Sequence, residues 1–499
     1  VLRVTNVKQR VWPDWIDHDL TIVLAARTCM SVARAIAGVI TALYLEAEGF
    51  SAFRIGMLFL CVAVTSAVLS STIGMVSDVL GRKAFLVAVP FLASLAACVF
   101  SLSHTAGLLF VFGALGSFGR GAGAGAGNVG PYQPAESAFV AEIVPDDKRT
   151  DAFGRLSFVS SIGALAGGLL AGLARPGSAV GTAATSAYRP AFLAAAALSA
   201  IAGLLAVFLS EPGRSRHRQG RIKFTFPRRS WGMLWRFWIT NGTNGMAIGM
   251  FGPFVSYWFH RRFGASPAEI GALFAVINAM TLISSLVAAD IGRKFGTVRA
   301  IVGVRLLAGV LLIPMALSPD FWVAGVIYLV RMLAQRVGLP LRQSFTQSVA
   351  DPDERASLAA LSNLPAQGTQ AGSQVLAGYL FDDVSLSAPM ILAGALQTLN
   401  ALTYAKLFTS FDTAAAAAQP VDDTDGDMLA SPLASGASGQ RDGLNDHPAQ
   451  DDGGAETAVT PGQIPGPNGP GQPRAAIRLE GLRGGSVSGE RRPRGQGQR

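Results

Sequence analysis

Charge is scarce in this chain. Asp, Glu, Lys and Arg together make up 15% of its 499 residues, against about 25% in an average soluble domain. Cysteine is scarcer still. The three present, Cys29, Cys61 and Cys98, all fall in apolar runs, so neither a disulfide framework nor a zinc spacing follows from them. No Walker sequence occurs, and the one glycine-alanine run, at 121–127, sits inside an apolar stretch. A nucleotide-driven pump would need a nucleotide domain that this sequence lacks, and no nucleophile–base pair or metal-ligand cluster stands out to suggest an enzyme; no cofactor is expected. The apolar runs also contain very few acids.

Long apolar stretches take the place of what is missing. Half of the residues are hydrophobic, and many runs reach the roughly 20 residues needed to cross about 30 Å of hydrocarbon. The pattern predicts twelve spans, near 19–44, 54–77, 84–104, 108–142, 153–174, 188–210, 233–258, 267–289, 297–317, 321–343, 357–380 and 388–410. The fourth is too long for one straight crossing. Pro131 and Pro134 are expected to kink or end it, with Glu136–Glu142 continuing towards the surface. The first run begins near Asp19 and is too long for a cleavable signal, so none is expected.

Lysine and arginine collect in the even-numbered gaps, for example Arg82, Lys83, Lys148, Arg149, Arg293, Lys294, Arg342 and Arg355. The positive-inside rule then predicts both termini on the cytoplasmic side of an inner membrane. Five parts are expected. They are an N-terminal segment at 1–18, six spans at 19–210, a basic linker at 211–232, six more spans at 233–410, and a disordered cytoplasmic tail at 411–499. The linker's charge suits an anionic leaflet better than a nucleic acid, so lipid and not nucleic acid is the expected partner.

The two sets of spans carry matching elements. Gly74, Asp78, Gly81, Arg82 and Lys83 stand between spans two and three, while Asp290, Gly292, Arg293 and Lys294 stand between spans eight and nine. Independently, Pro134 precedes Arg149 by fifteen residues, and Pro340 precedes Arg355 by fifteen. Gly74 would allow close helix approach. Asp78 with Arg82 and Lys83 would form a charged latch at the cytoplasmic edge.

The glycine–aspartate–Gly-Arg-Lys element resembles the loop signature of the major facilitator superfamily. Arg120, followed by Gly121, Gly123 and Gly125, resembles that family's span-four arginine. The resemblance covers about residues 18–410. It implies an all-α polytopic membrane protein with two pseudo-symmetric six-helix bundles, acting as a monomeric secondary transporter. Gly154, Gly163, Gly167 and Gly172 in span five have spacing related to the family's antiporter motif. However, Gly168 stands where that motif has proline, and close packing is the alternative reading.

Charges inside spans mark candidate solute and ion sites. The cations are Arg27 and Arg34 in span one, Arg120 in span four, Arg305 in span nine, and Arg331 with Arg336 in span ten. Glu136 is the leading candidate for proton coupling. Arg342, two residues after Pro340 as Glu136 is two after Pro134, is a possible partner. Asn244, Asn278 and Gln370 are candidate cavity groups because a dry environment obliges them to find hydrogen bonds. The expected function is alternating-access transport of a small solute coupled to protons or another ion. Efflux of organic or amphipathic compounds through a broadly apolar cavity leads; uptake or exchange of an anionic metabolite, or a transporter-fold scaffold or sensor, is the alternative.

Overall fold

The computed structural model describes residues 15–117, 130–176, 182–210, 229–349, 351 and 354–417. Among them the chain is helical throughout. The first helices are α1 (His18–Ala47), α2 (Ala52–Leu80), α3 (Arg82–Leu102), α4 (Ala106–Leu115), α5 (Tyr132–Ile143), α6 (Arg149–Leu170) and α7 (Arg189–Val207). They are followed by α8 (Trp231–Phe251), α9 (Val255–Phe263), α10 (Pro267–Phe295), α11 (Thr297–Val310), α12 (Phe321–Ser348), α13 (Arg355–Ser362), α14 (Leu364–Asp383) and α15 (Ala388–Ala417).

Each expected span overlaps one helix or an adjoining pair, with α4 and α5 in the fourth, α8 and α9 in the seventh, and α13 and α14 in the eleventh. Among the described residues, seven helices are long and apolar enough to cross a membrane by themselves. Among the spans outside these seven, α8 carries Arg236, Asn241 and Asn244 and gives way to a 3-10 turn at Gly252–Phe254. α14 carries Gln367, Gln370 and Gln374, which lower its hydropathy. Apolar side chains on the outside, such as Val64, Val68, Leu95, Leu204 and Leu402, are exposed as lipid-facing groups are.

Local chemistry sets the helix ends. The Ser51 hydroxyl accepts from the Arg54 amide at the start of α2. Ser266 and Glu269 form a reciprocal capping box at the start of α10. Asp320 accepts from the amides of Trp322 and Val323 at the start of α12, at 2.9 and 3.0 Å. Two single-residue turns correspond: Gly81 (φ 96°) joins α2 to α3, and Gly296 (φ 81°) joins α10 to α11. The left-handed region favours glycine at both. The second turn therefore corrects the sequence alignment. Asp290, Gly292, Arg293 and Lys294 lie within the last turns of α10, and Gly296 supplies the reversal instead.

The packing repeats. α1 packs on α6 and α7, α3 on α7, and both α2 and α3 on α4. In the same way α8 packs on α14 and α15, α11 on α15, and both α10 and α11 on α12. α1 meets α9 and α10 across the two sets of spans, and the broadest crossings between the first six and the last six are α6 with α10 and α2 with α14. Backbones touch at both. A Cβ added at Gly168 would lie 2.7 Å from the Gly271 carbonyl oxygen, and one at Gly56 would lie 2.5 Å from that of Gln374.

The two ends of the molecule differ. At the end where α1 starts, one buried apolar cluster, including Leu20, Phe139 and Leu156, draws only on the first six spans. Another, including Phe237, Leu358 and Phe408, draws only on the last six. At the opposite end one continuous cluster contains residues of both sets, among them Ile40, Phe59, Phe254 and Phe381. The rings of Phe59 and Phe254 meet there edge to face at 5.4 Å. An Arg261–Glu46 ion pair at 3.4 Å lies at that end. So does the Asp382 carboxylate, which accepts from the Ala52 and Phe53 amides at 3.0 and 2.8 Å. The described contacts thus close the molecule at the end remote from the start of α1.

Candidate functional site

α5 begins just after Gly130 (φ 69°) and Pro131. Pro134 lies in its first turn, where a missing N–H costs little. Tyr132, Ala135, Glu136, Phe139 and Val140 fall on one face of the helix and are buried. Glu136, expected as one of the few acids embedded in the spans, is 1% exposed. Its Oε2 pairs with a guanidinium nitrogen of Arg27 in α1. The Arg27 Nε donates to the Ser160 hydroxyl of α6, and the Ser31 hydroxyl donates to that same oxygen at 3.2 Å.

The sequence pairing of Glu136 with Arg342 is corrected by this contact. Arg342 lies in α12 near Tyr404, on the other set of spans. An isolated carboxylate in such a place would cost several kcal/mol, about what a nearby guanidinium must offset. Arg27 is thus the reason Glu136 can be buried. The other carboxylate oxygen, Oε1, is buried with no hydrogen-bond partner among the described residues, as is the Tyr132 hydroxyl.

The opposite face of α5 borders a cavity of about 490 Å³. Gln133 and Ser137 line it from α5, Ser66, Ser70 and Ser71 from α2, and Gln367 and Gln370 from α14. The lining is hydroxyl and amide, in contrast to the broadly apolar cavity expected from the scarcity of acids. Small polar residues of α2 went unrecognised in the sequence because serines inside an apolar run read as ordinary span residues. The i, i+3, i+4, i+7 series Gly130, Gln133, Pro134, Ser137 was the available signal.

Gln370 thus reaches this cavity, as does Gln367, another amide of span eleven expected to line it. Asn244 instead accepts from Gln397 at 3.2 Å, and Asn278 donates to its own helix at Phe274 at 2.8 Å. Arg34 donates to the Ser117 carbonyl at 3.1 Å and sits against Gly130. Arg331 donates to the Ala308 carbonyl at 3.2 Å and covers the Phe251 ring at 5.5 Å. Arg336 is half-buried near Tyr328. Arg305 donates to Asn400 at 2.6 Å and stacks on Tyr404 at 4.6 Å. Arg120 lies outside the described residues. The arginines that suggested an anionic solute are, where described in contact, engaged in helix packing.

At the α2–α3 turn, Arg82 donates to Glu142 at 2.8 Å and to the Ala138 carbonyl at 2.6 Å. Both acceptors lie on α5, so the turn is tied to the helix that carries Glu136. Lys83 is half-buried. The side chains of Asp78, Asp290 and Arg293 lie outside the described residues, and Lys294 sits over the ring of its neighbour Phe295. A Cβ on Gly74 would meet nothing within 4 Å, which corrects its expected role in helix approach. Most of the span-five glycines serve packing: Gly163 and Gly167 face α1, while Gly168 and Gly172 face α10; a Cβ on Gly154 would meet nothing within 4 Å.

The chain belongs to the Major Facilitator Superfamily, whose profile matches residues 23–364 and 237–435. It is 19% identical over 431 residues to the uncharacterized membrane protein YJR124C of Saccharomyces cerevisiae, covering 79% of this chain and 95% of that one. The fold is similar to the crystal structure of the nucleoside transporter NupG. That likeness has a TM-score of 0.62 at 13% identity, over 78% of this chain and 98% of NupG. A bacterial homologue of the human lysosomal transporter Spinster, in an inward-facing and unoccupied conformation, gives 0.59 at 14% identity, over 79% and 98%. A D-xylose–proton symporter gives 0.58 at 14%, over 78% and 97%. The protein is a multi-pass membrane transporter of small solutes by alternating access, and not an enzyme.

Proposed function

We propose that this transporter couples solute movement to protons through Glu136. Two six-helix bundles, 19–210 and 233–410, rock about the cavity beside α5, joined by the basic linker 211–232. The observation that carries the proposal is the buried Arg27–Glu136 pair, whose carboxylate keeps one oxygen without a partner. A proton arriving there removes the negative charge and weakens the hold on Arg27. That changes how α1, α5 and α6 fit together, and so biases one arrangement of the bundles over the other. A like role for protons is named for the D-xylose–proton symporter that shares the fold.

The termini lie in the cytoplasm by the distribution of positive charge. The closed end described above then faces outward, so the conformation is inward-open, the state named for the Spinster homologue. Efflux rested on the glycine face of span five, most of which packing accounts for, and on an apolar cavity, whereas the cavity's described lining is polar; the direction of transport follows from the imposed gradients and is read in the same assay.

The test is counterflow in proteoliposomes with a panel of solutes, followed by a pH gradient imposed on any that exchange. Wild-type protein is expected to accumulate the solute, or expel it, at the expense of the gradient. Glu136→Gln is expected to retain counterflow and lose its dependence on pH. An unchanged pH profile in the variant would remove Glu136 from the coupling.

A further inference from the structure

We infer that the cavity between α2, α5 and α14 is a binding site for a neutral solute rich in hydroxyl or amide groups. The inference deepens the transport reading above and rests on it for the cavity's role, but its own content is recognition.

The lining supplies alternating donors and acceptors and, among the described residues, no charged side chain and no aromatic ring. A serine hydroxyl both donates and accepts, and a glutamine offers two N–H donors beside one carbonyl acceptor. Such a set matches the hydroxyls and amides of a polyol or an N-acetylated sugar. A charged solute would meet no countercharge among the described lining side chains and lose much of its hydration. An apolar solute would leave these polar groups unpaired, which is the larger penalty in a site built for hydrogen bonds. The volume, about 490 Å³, lies within the ordinary range for small-molecule sites.

A second observation is independent of the lining's composition. Ser66 is 1% exposed, and its hydroxyl is buried with no hydrogen-bond partner among the described residues. Serine inside a helix commonly satisfies itself on the carbonyl four residues back, as Thr72 does on Val68 at 2.8 Å. Ser66 does not. Ser66 borders the cavity, and a small closure of α2 on a solute would bring a solute hydroxyl to it as the missing partner.

The location also explains how occupancy would reach the proton site. Gln133 and Ser137 face the cavity, while Glu136 faces Arg27 from the other side of the same helix. Any shift of α5 that closes it on a solute moves the Glu136 carboxylate relative to α1.

Equilibrium dialysis of purified full-length protein against myo-inositol, N-acetylglucosamine, gluconate and tetraphenylphosphonium tests the inference. At least one of the two neutral probes is expected to bind, with gluconate and tetraphenylphosphonium at least about tenfold weaker. Ser66→Ala is expected to weaken that binding about tenfold, the worth of one buried hydrogen bond, at an unchanged or raised unfolding temperature. Gln370→Leu, from another helix, should do the same. Tighter binding of either charged probe, no binding of either neutral one, or undiminished affinity in both variants would overturn the site. Because dialysis needs no gradient, its outcome is separate from that of Glu136→Gln. Neutral binding with pH-independent transport would sink the coupling alone, and failed binding with intact coupling would sink this site alone.

Discussion

Arg27 in α1 lies against the carboxylate of Glu136 and the hydroxyl of Ser160. Arg305 in α11 lies against the amide of Asn400 and the ring of Tyr404. Both guanidinium groups are buried to a similar degree, 4% and 8% exposed. They sit in sets of helices whose packing follows one pattern. The difference is that the first set holds its cation with a carboxylate, and the second with an amide and a phenol ring, groups that stay neutral at physiological pH. Repeated packing is an apolar matter, settled by helix length and small residues at crossings. What distinguishes the first copy is a single buried acid, Glu136, on the inner face of α5, the group on which the proposed coupling rests.

The sharpest way to break this comparison is to remove each arginine. Arg27→Leu strands a buried carboxylate and is expected to cost about 3–5 kcal/mol of stability. The double variant Arg27→Leu with Glu136→Leu should recover most of it. Unfolding in detergent measures both, and a double variant no more stable than the single would contradict the pairing. Arg305→Leu is expected to cost less, about 1–3 kcal/mol, because Asn400 still donates to the Thr240 carbonyl. Equal losses at the two arginines would erase the distinction.

Glycines sharpen the packing side of the comparison. Gly168→Val pushes a side chain into the α10 backbone and is expected to cost about 1–3 kcal/mol or to abolish expression. Gly74→Ala meets open space and should be neutral or stabilising by about 0.5–1 kcal/mol. Fluorescence-detected size exclusion of the two variants separates them.

The smallest effect is expected at Glu354. Its carboxylate accepts from the Arg229 and Ser230 amides at 3.1 and 2.8 Å, at the start of α8. Desolvation there would raise its pKa, but these hydrogen bonds and Arg229 together hold it below the ordinary carboxylate value. A depressed pKa means the stabilisation is complete above the unfolded value and is lost as pH falls through the folded one. Hydrogen exchange at Ser230 should therefore be slow near neutrality and accelerate, relative to neighbouring amides, below the usual carboxylate range. Glu354→Gln should show no such acid step.

Much of the fold was legible because transmembrane helices declare themselves by apolar length. The divided fourth span was signalled by Pro131 and Pro134, and α9 ends at Gly264 in the left-handed conformation. The turn after α10 was misplaced for a local reason. Asp290-Ile291-Gly292-Arg293-Lys294 copies the loop letters, but a helix tolerates all of them, and only Gly296 adopts the positive φ that turns the chain. The site was less legible. Glu136 stood out as a rare acid, yet its partner came from α1, 109 residues earlier, and spacing gives no access to such a contact. The serines of α2 and the role of Asp382 in capping that helix were invisible for the same reason. Each depends on which face of a helix meets a neighbour across the chain.

The central claim is that Glu136 carries the coupled proton. Its most direct test is solute-driven proton movement in proteoliposomes, read with a pH-sensitive dye after a gradient of an exchanging solute is imposed. Wild-type protein should shift the internal pH, and Glu136→Gln should pass the solute without doing so. An equal pH shift in the variant would contradict the account.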